Sequence, residues 1–192
     1  GGGLLDFPSS NINGQRVMVT SGLSNPDQPS DVFVTDFERQ EEKEGNVTFS
    51  TRLGSRTPRF VPPEWSGLGY ELALVLKEPE DEKSIAVLSW LVQAELNREG
   101  DFFGMINRYG EVTVQDMELF DNTFADFLFY PAVDPIPSAV QLSSGTMHLI
   151  IATRITRQER DFAKENTCGD LVERLIEKGV GQVTDYKRIS IL

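Results

Sequence analysis

The chain has 192 residues, 39% of them hydrophobic, enough to bury one sizeable core within a single α+β domain. Thirty acidic against 18 basic side chains leave a net charge of −12, a field that repels phosphate backbones and anionic headgroups and so argues against nucleic acid and membrane as partners. A basic partner protein is what such a field attracts. No apolar run reaches the ~18 to 20 residues of a membrane span, and no basic-then-apolar leader opens the chain, so a cytoplasmic location is expected. The single Cys168 leaves no internal disulfide and fits a reducing compartment.

The opening Gly1-Gly2-Gly3 is not a natural start, and residues 1–15 are expected to be a lead-in or fragment end before a domain over 16–192. Arg16 to Thr20 is a short β-branched strand running into the turn residues Ser21-Gly22-Leu23-Ser24-Asn25-Pro26. Val32 to Phe37 and Val47 to Leu53 alternate apolar and polar around the charged "RQEEKEGN", which predicts an antiparallel hairpin. The Pro- and Gly-rich "TPRFVPPEWSGLG" reads as a loop leading into the near-continuous apolar strand "YELALVL".

Ser84 to Asn97 predicts a helix with Ile85, Leu88, Leu91, Val92 and Leu96 on one face and Gly100 beyond its end. Strands are expected at Glu111 to Met117, Phe127 to Tyr130 and Met147 to Ala152, with "YPAVDPIPSA" an extended surface connection. "TRQE" at Thr156 to Glu159 fits a capping box, and "TCGD" offers Thr167 as a second N-cap. Behind it Leu171, Val172, Leu175 and Ile176 form an apolar stripe that stops at Gly179. A last strand is expected at Arg188 to Leu192.

Little of this composition supports catalysis. Ser24 follows a strand as a hydrolase nucleophile would, but Gly-x-Ser-x-Gly is incomplete, prolines replace the helix that should follow, and a serine needs a base. The only histidine, His148, lies in an apolar strand and reads as a core or surface residue. One histidine and one cysteine cannot build a zinc site of N and S ligands, and no EF-hand pattern organises the carboxylates, so no metal is expected. Gly67-Leu68-Gly69 lacks the third glycine of a dinucleotide fingerprint and precedes a strand, so no cofactor is expected either. Trp65 and Tyr70 flank the proline-glycine loop as anchors for a partner or as aromatics packing back on their own domain.

Taken in order, "VMVTSGLSN", "GLGYELALVL", "IAVLSWLVQAEL" with "GDFFGMINRYG", "MHLIIATRIT" with "RQERDF", and "LVERLIEKGVGQVTDYKR" resemble the Suppressor of Fused (SUFU) domain family over about Arg16 to Leu192. The acidic hairpin from Asp31 to Leu53 does not align with the family. The resemblance implies a mostly antiparallel twisted sheet packed by a central helix and C-terminal helices, and it implies binding rather than catalysis. Animal members hold a transcription factor by pairing an extended peptide with strands, while many bacterial members look like immunity proteins that neutralise a co-encoded toxin.

The expected function is therefore a non-enzymatic, immunity- or antitoxin-type binding module that occludes a partner protein. The alternatives are a regulatory scaffold that sequesters a transcription-factor peptide by strand pairing, and a hydrolase using Ser24. Candidate binding residues are Tyr70 and Glu71 in the "GYEL" strand and Asp185 and Arg188 in "TDYKR". For Asp185 and Arg188 the competing reading is a local ion pair that fixes the closing strand, and for Glu71 a hydrogen bond to a neighbouring loop.

Overall fold

A computed structural model of the chain describes residues 3–8, 15–27, 33–41, 47–58, 61–78, 81–96, 102–119 and 123–192. In chain order the elements are strands β1 (Gly3–Pro8), β2 (Arg16–Ser21), β3 (Phe33–Glu41), β4 (Val47–Pro58) and β5 (Trp65–Leu76), then helices α1 (Asp81–Leu96) and α2 (Phe102–Tyr109). Strands β6 (Val112–Glu118), β7 (Phe124–Pro131), β8 (Ala139–Leu142) and β9 (Gly145–Ile155) follow, then α3 (Arg157–Glu165), α4 (Cys168–Glu177) and the short β10 (Val183–Thr184).

Eight strands form one α+β sheet with the path β1-β2-β5-β9-β7-β6, while β8 pairs with β9 and β10 with β5. Pairing is antiparallel except for β5 with β9 and β10 with β5. Residues Gly3 to Pro8, ahead of the expected domain start, supply a strand paired with β2. The expected hairpin forms as a separate β3–β4 ribbon with Glu41 opposite Val47; its turn lies outside the described residues.

The period of two along β5 divides the core. Tyr70, Leu72, Leu74 and Leu76 face one way and pack with α1 (Val87, Leu88, Leu91) and α2 (Phe102, Phe103, Ile106). Ala73 and Val75 face the other way, towards Ala163 of α3 and Leu171 and Leu175 of α4. A strand covered by helices on both faces reads as continuously apolar, which is why "YELALVL" shows no alternation.

β5 and β9 diverge beyond Ala73 and Ile151, and β10 fills the widening gap against Val75 and Leu76. There the Thr184 hydroxyl donates to the Ala152 carbonyl at 3.1 Å and accepts from the Arg154 N–H at 3.0 Å. A side chain thus replaces the missing main-chain ladder.

Several expectations need correction. In α1 the buried face runs through Ser84, Val87, Leu88, Leu91, Ala94 and Glu95, which leaves Ile85 exposed, and Glu95 on that face accepts the Phe102 N–H at 2.6 Å. "FFGMINRY" is a helix with no assignment from the sequence, β8 begins only at Ala139, the last residue of the expected surface connection, and Ile136 within that connection is buried. Ile176 is exposed. The final strand is displaced: β10 is the paired segment, and residues 188–192 are held by side chains instead. The capping box at Thr156 and Glu159 and the Thr167 N-cap both form as expected.

Candidate functional site

Two glycine-containing turns interlock at the start of β5. Between the pairs Trp65–Thr146 and Tyr70–His148, β5 runs through four residues while β9 advances by one, so residues 66–69 bulge out of the ladder. Gly67 (φ +58°) and Gly69 (φ +87°) supply left-handed backbone. A Cβ on Gly69 would stand 2.4 Å from Trp65 Cε3, and one on Gly67 2.4 Å from the Asn25 carbonyl oxygen. The bulge therefore seats the Trp65 indole on one side and the Ser21 to Asn25 turn on the other.

Glu71 binds that turn to the sheet. Its buried carboxylate accepts from the Thr20 hydroxyl at 2.6 Å, the Gly22 N–H at 2.9 Å, the Ser24 N–H at 2.8 Å and the Ser24 hydroxyl at 2.7 Å. The Leu68 N–H donates to the Leu23 carbonyl at 2.7 Å and the Ser66 hydroxyl to the Ser24 carbonyl at 2.6 Å. The Ser24 hydroxyl is thus one of the four donors that saturate the Glu71 carboxylate. Tyr70 is fully buried and stacks on Phe103, with ring centroids 5.2 Å apart.

Above this interlock, α2 and the sheet enclose an open cleft of about 520 Å³. From α2 come Phe103, Ile106 and Asn107; from β5 Trp65; from β9 His148 and Ile150; Pro131 and Ser138 close the rim. Trp65 and Phe103 lie 4.7 Å apart, and the imidazole meets Phe103 at 4.9 Å and the indole edge-on at 5.7 Å. Burial lowers the His148 pKa below its usual value. Among the described residues no group hydrogen-bonds the side chains of His148, Asn107 or Ser138.

Beside the cleft lies an unpaired strand edge. The Ser138 carbonyl accepts from the Leu149 N–H at 2.9 Å, so antiparallel alternation turns the N–H and C=O of Ala139 and Gln141 away from β9. Both residues are exposed, and β8 has no neighbour other than β9 among the described strands.

Asp185 and Arg188 form a separate network at the other end of β5. Asp185 accepts from Lys77 Nζ at 2.8 Å and from the Lys187 N–H at 2.9 Å. Burial pushes its carboxyl up, but the Lys77 ammonium, the Lys187 N–H and the Arg188 charge together outweigh that and hold it below the ordinary range. Arg188 clamps the fully buried Glu159 with both terminal nitrogens, Nη2 to Oε2 at 2.8 Å, and also donates to the Arg154 carbonyl at 3.1 Å. Glu159 further accepts from the N–H groups of Thr156 and Ile191. Of the four candidate binding residues, Tyr70 lies under the cleft and the other three hold chain segments together. The sequence reading singled out Trp65 and His148 but could not bring them side by side, and it did not reach Phe103, Asn107 or Ser138.

Among the described residues no group of three or more His, Cys, Asp or Glu is placed to hold a metal, and no helix is long and apolar enough to cross a membrane. An apolar cleft thus lies next to an open strand edge. The profile of the family described as Suppressor of fused protein (SUFU) matches residues 26–189, and the chain belongs to that family. Solved structures share the fold. "The Sufu-Fu complex crystal structure" is 15% identical with a TM-score of 0.51, covering 98% of this chain and 75% of that one. Drosophila Suppressor of Fused is 16% identical with a TM-score of 0.50, over 98% of this chain but 42% of its own length. No curated protein matches significantly.

Proposed function

We propose that this domain is a non-enzymatic binding module that captures an extended segment of a partner protein along β8 and occludes it. The outward-facing main-chain groups of Ala139 and Gln141 at the rim of the aromatic cleft are the observation behind this reading, because an added strand would find both ladder partners and a pocket for alternate side chains. The related Sufu-Fu complex is a precedent for a protein partner. The net charge of −12 favours a basic partner, and the role it supports is that of a cytoplasmic immunity or antitoxin protein neutralising a co-encoded toxin. The open edge equally favours a second role, sequestration of a transcription-factor peptide by strand pairing. In both, Tyr70 and Glu71 support the cleft from below, and Asp185 and Arg188 fix the chain end.

The test is co-expression with the product of the neighbouring gene, followed by calorimetry of the complex. A one-to-one complex that weakens as salt rises is expected, since exposed charges are screened over ~8 to 10 Å at physiological ionic strength. Ala139→Pro removes an N–H that β9 does not use, so the fold tolerates it while strand addition is blocked. Undiminished binding by Ala139→Pro would exclude β8 as the docking edge, and absence of any complex would sink the immunity role.

A further inference from the structure

We infer that the cleft beneath α2 is a socket for one uncharged aromatic side chain of the partner whose ring carries a hydrogen-bonding group, read by His148. This rests on the protein-binding reading above and specifies the chemistry of its anchor.

The walls select a flat group. Trp65 and Phe103 present rings at 57° to each other, and the imidazole stands at 70° to the indole, so an inserted ring finds faces and edges to stack against. At about 520 Å³ the open cleft has room for a ring inserted from a bound strand.

The polar inventory selects a neutral one. Nearby polar side chains of the interlock are consumed internally: Ser66 bonds Ser24 and Ser144, and Glu71 binds the turn. The His148 imidazole, the Asn107 amide and the Ser138 hydroxyl line the cleft, and among the described residues nothing hydrogen-bonds them. Among the described residues no carboxylate, lysine or arginine lines it, so a charged anchor would lose its hydration without an opposite charge from them to replace it. A neutral imidazole offers one donor and one acceptor, which suits a ring hydroxyl. The cleft also adjoins the open edge of β8, where Ala139 pairs with His148, so a strand added there passes the mouth of the socket.

The test uses p-cresol, toluene and 4-methylbenzylamine as probes, titrated into the intact chain and followed by NMR at the Trp65 indole and His148 ring signals. Saturable shifts at both rings are expected, with p-cresol bound about five- to tenfold more tightly than toluene, the worth of one hydrogen bond. The amine should bind more weakly than either. His148→Phe should keep toluene, which shows the fold intact, and lose the advantage of p-cresol, and His148→Gln, which restores a donor and an acceptor, should recover part of it. Equal affinities for the three probes, or shifts confined to other surfaces, would overturn the socket. If p-cresol fills the cleft without displacing a partner held along β8, the anchor assignment fails and strand capture stands. If p-cresol does displace it, the assignment holds.

Discussion

Replacing Glu71 by alanine isolates the interlock on which the cleft is built. The side chain is buried and accepts four hydrogen bonds, two of them from backbone N–H groups of Gly22 and Ser24 that cannot rotate towards another partner. Bonds to a carboxylate contribute about 1.5 to 3 kcal/mol each, and an orphaned buried donor costs about 1 to 3 kcal/mol. Gly22 and Ser24 are only half-buried, so water recovers part of this, and about 3 kcal/mol is the expected loss. That is a large share of the roughly 5 to 15 kcal/mol that stabilises a typical domain, and it corresponds to a fall in Tm of about 6 to 12 °C. Glu71→Gln keeps an acceptor for the two N–H groups and should lose about half as much. Urea unfolding followed by circular dichroism, with the slope m unchanged, measures the difference. A loss below about 1 kcal/mol for Glu71→Ala would show that the turn is held by its other contacts, and the argument from bond counts would be wrong.

The clamp at Glu159 predicts a pH dependence. Burial raises its carboxyl, but Arg188 and the N–H groups of Thr156 and Ile191 outweigh burial and leave the folded-state pKa below the ordinary value. Its contribution is therefore complete above the unfolded value of ~4.3 and is lost as pH falls through the lower folded value. Wild type should lose urea resistance more steeply than Glu159→Gln below about pH 5, and parallel curves would refute this; Arg188→Ala should cost about 3 kcal/mol at neutral pH. Cys168, whose thiol is pushed up to about 11 by burial and by Glu111, should resist iodoacetamide at pH 8 in the folded protein and react readily in urea. Equal rates in both states would contradict that placement.

Local chemistry was legible where a few adjacent residues decide the outcome. Thr156-x-x-Glu159 and Thr167-x-x-Asp170 announce helix starts because the bonds involved join neighbours. β5 was legible because its burial on both faces leaves no polar alternation. What escaped was set by partners far along the chain. A hydrogen bond from Glu71 to a loop is readable as an alternative, but not that the loop is the Ser21 to Asn25 turn, and Ile85 reads as core although α1 turns Ser84 and Glu95 inward instead. α2 is eight residues long, too short for periodicity to stand out, although Phe102, Phe103 and Ile106 lie at helical spacing and Gly110 (φ +87°) follows the last turn. The cleft was hidden for the same reason, since Trp65, Phe103 and His148 arrive from three elements.

The wedge formed by β10 has a consequence for synthesis. Lys77 and Asp185, joined across the gap, are 108 positions apart, so the centre of the sheet stays open until the chain has been made almost to that point. The early strands β2 and β5 can pair while the ribosome is still working, but the other edge of β5 stays bare until β9 emerges and, at Val75 and Leu76, until β10 follows. Parallel pairing across such separations is slow, and a nascent edge of this kind invites pairing with the wrong strand. Weakening the bonds of Thr184 to Ala152 and Arg154 should therefore appear first as loss of yield in the cell rather than loss of binding by molecules that fold.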